Sequence, residues 1–157
     1  MTRASPRRAA APLRVLVMSH MHPAVSRGGA EIAAYQLHTA LQARSGVAST
    51  FLAASGGKLQ ERLGARFVQP FGPDEWVYSG AGFDHWIHAN PDPEFPPEFC
   101  ALLRELQPDV VHLHAGPGAV LCALAAKVAG VPCVLSRRVD SVPRGLLSSW
   151  SYGALND

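Results

Sequence analysis

Long apolar runs are missing from this sequence. The longest, Gly118 to Ala126, falls well short of the roughly 20 residues that a membrane-spanning helix needs. Cysteine is scarce: Cys100, Cys122 and Cys133 are the only three, and none forms a C-x-x-C pair. That count argues against a disulfide frame or a zinc ribbon and reads as buried thiols in a reducing compartment. Charge of one sign is also lacking, with a formal net charge of +2 over 157 residues. Much of the basic excess falls early, in Arg3, Arg7, Arg8 and Arg14, so no broad nucleic-acid face is indicated. A secretory signal is not expected either, because Pro12 and Arg14 interrupt the apolar stretch where it would begin. Residues 1–12 are basic, rich in alanine and proline and free of acids, and read as a disordered tail, with a transit peptide as the alternative. No complete G-x-G-x-x-G or Walker motif occurs, and Ala53-Ala54-Ser55 stands where a dinucleotide enzyme would carry an acidic residue.

What is present is a globular composition, 48% hydrophobic and 17% charged, in a chain long enough for one domain with a sizeable core. The stretch from Leu13 to Leu41 organises the rest. Leu13 to Met18 is a short apolar run that suits a parallel strand covered on both faces. A polar break from His20 to Arg27 follows, and then Gly28-Gly29 open a helix whose Ala30, Ala33, Ala34, Leu37 and Leu41 share one face. A strand, a glycine pair and a helix N-terminus in that order make an anion site, since the first helical amides lack intrahelical acceptors and glycine admits a phosphate closely. A simple tight turn explains the same glycines equally well.

Downstream, strands and helices alternate. Strands are expected at Val47 to Ala54, Ala65 to Gln69, Asp109 to His114 and Pro132 to Ser136. A helical turn is expected at Lys58 to Leu63, a helix from about Pro97 to Leu106, and a buried helix from Pro117 to Ala129 ended by Gly130. Pro70 to Pro97, with Trp76, Tyr78, Phe83 and Trp86, is too long for an ordinary connection and reads as a functional or partly helical segment. The order implies an α/β fold: a Rossmann-like parallel sheet with helices on both faces and a ligand crevice beyond the carboxyl ends of the strands. His20 and His22 would leave the first strand there, His112 and His114 would end a later one, and Arg137, Arg138 and Asp140 follow the last. Each H-x-H pair presents two imidazoles to one side, which admits a metal-dependent hydrolase as one reading. Against it, no carboxylate or third ligand stands at a convincing position. His112 reads as a satisfied inner histidine, with His114 facing the cleft, and His38 as an ordinary helix-surface residue.

Three motifs in order, P-x(4)-G-G-A-E at Pro23 to Glu31, L-Q-P-D-V-V-H-L-H-A at Leu106 to Ala115, and G-V-P-C-V-L-S-R-R at Gly130 to Arg138, resemble the N-terminal domain of family-4 glycosyltransferases of the GT-B fold. The resemblance covers nearly all of the chain from Leu13. It implies a retaining enzyme that moves a sugar from a nucleotide-sugar donor to a sugar, lipid or small-molecule acceptor, without a metal or other cofactor. By that resemblance Gly28, Gly29 and Glu31 lie against the donor's diphosphate and sugar, and His114 lies beside the transferred sugar. His20, His22, Trp76, Trp86, Arg137, Arg138 and Asp140 become acceptor-side candidates. The domain would span 13–140, and 141–157 would begin a linker toward a donor-binding domain that this sequence does not contain. The chain would then be inactive alone, pairing with a separate donor-binding domain or chain, and would be cytoplasmic or peripheral to the inner membrane face. A non-catalytic anion-binding or nucleotide-binding module is the competing reading.

Overall fold

The computed structural model describes residues 11–24, 28–54, 67–69, 72–78, 95–114 and 119–136. The tail, the helical turn expected at 58–63, Trp86, and everything from Arg137 onward, including Arg138, Asp140 and the expected linker, lie outside these residues.

Six strands form one sheet: β1 (Leu13–Met21), β2 (Val47–Ala54), β3 (Phe67–Val68), β4 (Glu75–Tyr78), β5 (Val110–His114) and β6 (Cys133–Ser136). Among the described residues, three helices accompany them: α1 (Gly29–Gln42), α2 (Phe95–Leu106) and α3 (Ala119–Val128). The strand order is β3-β4-β2-β1-β5-β6. Every pairing is parallel except β3 with β4, where Phe67 opposes Tyr78 and Val68 opposes Val77. The Rossmann-like parallel sheet with helices on both faces is therefore present, with an antiparallel strand added at one edge.

Alternation along the strands sorts the core into two layers. Leu16, Met18, Leu52, Tyr78, Val111 and Leu113 point to the side covered by α2 and α3. On α2, Phe99, Leu102, Leu103 and Leu106 recur at helical spacing and supply the stripe that meets them. Small residues on α3, Cys122, Ala123, Ala125 and Ala126, bring that helix close to the sheet, while Lys127 and Val128 are exposed. Burial there pushes the Cys122 thiol up and the Cys133 thiol to about 11, so both are poor nucleophiles at neutral pH. The opposite face packs Val15, Val17, Phe51 and Ala53 under Ala34 of α1. Glycines set two exits: Gly46 before β2 has φ +80° and Gly130 after α3 has φ +73°, a conformation that L side chains rarely adopt.

The sheet differs from the sequence reading in two places. Strand β1 continues past Met18 to Met21, and its register with β2 slips between Ser19 and Met21, at His20. Within Pro70 to Pro97, residues Glu75–Tyr78 form a strand rather than part of a long loop. The prolines and glycines around it hide a run of three good strand formers, Trp76, Val77 and Tyr78, whose partner β2 is distant in sequence.

Candidate functional site at the carboxyl edge of the sheet

Strand β1 lies between β2 and β5. From β1 the chain passes through α1 to β2 on one side, and from β5 through α3 to β6 on the other. The helices after these two adjacent strands thus leave in opposite directions, which opens a crevice at their carboxyl ends, where ligands of open α/β sheets bind. Two of the motifs end at this point: the glycine pair follows β1, and His114 closes β5.

Gly28 is the N-cap of α1, with extended backbone (φ −70°, ψ 154°), and its carbonyl accepts from the Ile32 N–H at 3.1 Å. The amides of Gly29, Ala30 and Glu31 precede that first helical bond and so have no acceptor within the helix. Neither glycine has positive φ. A side chain at Gly29 would meet nothing within 4 Å, so packing among the described residues does not demand a glycine there. Open space beside amides that lack an acceptor within the helix is what an approaching anion requires. The Glu31 carboxylate folds back against Gly28, lying where a Cβ on that residue would stand.

His112 pairs across to Val134, and His114 to Ser136. Strand alternation places both histidines on the α1 side, with ring centroids 4.8 Å apart. His112 Nε2 lies 2.6 Å from Ser136 Oγ, so His112 is the satisfied inner histidine that the sequence suggests. His114 is itself 4% exposed. Among the described residues, no group of three or more His, Cys, Asp or Glu side chains could hold a metal ion, so the H-x-H pairs gain no third ligand there.

The other candidates divide. His20, half-buried, sits at the register slip of β1. His22, an acceptor-side candidate, is buried and turned under α1, where its ring meets Tyr35 at 5.2 Å and Phe51 at 5.6 Å. Trp76 belongs to β4 and packs, half-buried, against the core beneath α2 and α3. His38 is the clearest correction. It is 1% exposed, with Nδ1 2.9 Å from Ser49 Oγ, because the buried centre of α1 runs through Ala34 and His38.

Around His22 lies a polar cluster that the sequence did not reveal. Tyr35 OH donates to Glu75 Oε1 at 2.6 Å, and His22 Nε2 stands 3.4 Å from Glu75 Oε2. Hydrogen bonding to the carboxylate raises the Tyr35 hydroxyl to about 12, since ionising it would set a second anion beside the first. Burial lowers the pKa of His22, partly opposed by Glu75, and also lowers that of His38. The available signal was faint: Tyr35 and His38, three apart on the buried face, and one acid opening a strand.

Comparison with known proteins agrees with this geometry. The profile of the glycosyl transferase 4-like domain matches residues 28–156. No curated protein matched by sequence. Among solved structures, MurG of Acinetobacter baumannii superposes with a TM-score of 0.53 at 18% identity, a likeness of fold. The match covers 90% of this chain and 39% of MurG, so the chain spans well under half of that protein's length. With glycine loop and histidine strand at the same crevice, and the family profile matched over most of its length, the chain belongs to the glycosyl transferase 4-like family and has the N-terminal domain of the GT-B fold.

Proposed function

We propose that the domain forms the acceptor-side wall of a sugar-transfer cleft, with the start of α1 facing the diphosphate of a nucleotide-sugar and His114 beside the sugar that moves. The observation that carries this reading is the open space at Gly29 next to the first amides of α1, which have no acceptor within the helix, at the point where the sheet's connections diverge. A departing diphosphate gains negative charge as the glycosidic bond breaks. Fixed N–H donors aimed at it stabilise that charge without reorganising. Glu31, folded against Gly28, must swing aside for the phosphate and becomes free to contact the sugar's hydroxyls. The acceptor is a sugar, lipid or small molecule bound on the outer side of His114. No metal or other cofactor takes part.

The opposing wall, with the donor's base and ribose contacts, comes from further polypeptide. The domain alone therefore binds donors weakly and transfers no sugar at a useful rate. Titrating the isotopically labelled domain with uridine and guanosine nucleotide-sugars tests the reading. The amides of residues 28–32 and the ring of His114 should shift together at millimolar ligand. Shifts confined to another face, or none at all, would overturn it. Micromolar affinity or robust turnover would remove the need for a second wall, and a response to inorganic phosphate alone would favour a non-catalytic anion module.

A further inference from the structure

We propose that Glu75 is the positioning residue for the β1–α1 loop: one carboxylate on β4 fastens both the loop's first turn and the helix that follows it. This deepens the sugar-transfer reading, and only its ligand-binding arm rests on that reading.

The geometry is a three-point clamp. The Ala24 N–H donates to His22 Nδ1 at 3.1 Å, so that nitrogen is an acceptor and the ring carries its proton on Nε2. His22 Nε2 then stands 3.4 Å from Glu75 Oε2, a close polar contact outside hydrogen-bond geometry, while Oε1 receives Tyr35 OH at 2.6 Å. The side chains of His22 and Glu75 are 6% and 13% exposed, so water competes little for either group. His22 lies six residues before Gly28 at the loop's entrance, and Tyr35 lies one and a half turns or so into α1. Holding both ends against one strand determines where the α1 amides point. Phe51, on the neighbouring strand, stands edge-on to the rings of His22 and Tyr35 and closes the cluster from the sheet side. His38 Nδ1 bonds Ser49 Oγ, and Asp74 accepts from Gln42 at 3.3 Å, so these neighbours have partners other than Glu75. A glutamate reaching two elements through its two oxygens does more than satisfy a buried phenol.

The test compares the domain with Glu75→Gln and Tyr35→Phe. In the unaltered domain, the nitrogen spectrum of His22 should show a bare Nδ1 and a protonated Nε2; the opposite tautomer would overturn the proposal without any variant. In Glu75→Gln that tautomer should give way to a mixture. Amide exchange at Ala24 and Ile32, whose N–H groups are hydrogen-bonded to His22 and Gly28, should rise by about tenfold, the factor that roughly 1.4 kcal/mol represents, while Leu37 to Leu41 stay protected. Tyr35→Phe removes the helix arm alone and should leave the His22 tautomer in place. Unchanged exchange at Ala24 in Glu75→Gln, or a uniform rise across the whole sheet, would overturn the positioning role. Uridine diphosphate, used as the probe, should bind the Glu75→Gln domain several-fold more weakly. Loosened exchange with undiminished binding of this probe would leave Glu75 holding the loop and instead refute the anion site.

Discussion

Replacing Gly29 with alanine separates a ligand-binding role of the glycine pair from a purely conformational one. Gly29 is the first residue of α1 and has ordinary backbone angles, and its added methyl would project into open space. Alanine can therefore adopt the native conformation, and it loses less chain entropy on folding. That gain is about 0.5–1 kcal/mol. For a chain of this length it corresponds to a rise in Tm of roughly 1–4 °C. Binding should move the other way. A methyl at the mouth of the amide cradle holds a phosphate oxygen away from at least one N–H. The loss of one hydrogen bond to a charged group is about 1.5–3 kcal/mol, or roughly a tenfold to hundredfold weaker Kd. Thermal unfolding and calorimetric titration with uridine diphosphate read the two effects on the same preparation. A variant that is more stable and binds equally well would refute the reasoning, because the glycine would then be a turn residue and nothing more. A less stable variant would refute it differently, by showing that the space beside Gly29 is not open.

Three further outcomes follow from the core and the polar cluster. Because burial lowers the folded-state pKa of His22 and His38 below the ordinary 6.5, the unfolded chain takes up protons first; stability is full above about pH 6.5 and falls as pH drops below it. Urea unfolding from pH 8 to pH 5 checks this, and a flat profile would contradict the burial of both rings. Tyr35 should ionise near 12, and in Glu75→Gln its absorbance titration should shift back toward the ordinary 10, since the bond to the carboxylate is the main cause of the rise. Phe99→Ala, which empties a fully buried site beneath α2, should cost about 3–5 kcal/mol and lower the urea midpoint sharply; a loss under 1 kcal/mol would show that α2 is not packed as described.

The legible parts of this protein share one physical property: their signals are local. The apolar run at Val15 to Met18, the periodic face of α1, and Gly130 after α3 each declare their conformation within a few residues. So does the alternation of strand and helix, which implies parallel pairing because each crossover needs a connecting element. The glycine pair and the V-H-L-H strand end were likewise visible in sequence, and both arrive at the crevice. Strand β4 was not legible. Four residues among prolines and glycines become a strand by pairing Phe51 with Glu75 and Ala54 with Tyr78, and that pairing depends on chain far away in sequence. His38 was misread for a related reason. Histidine on a helix is ordinarily wet, and only the approach of β2 places Ser49 beneath it.

Sequence alone thus determined most of the segments that become strands and helices, β4 excepted, the parallel sense of most of the sheet, and the residues that carry the family likeness. Tertiary structure decided which strands are neighbours, and hence that β1, which precedes the glycine pair, runs beside the strand that ends at His114. It also decided that His22, Tyr35 and Glu75, separated by up to 53 positions, share one buried carboxylate. Conformational preference is written in neighbouring residues, whereas burial and partnership are properties of surfaces that exist only once the chain has folded.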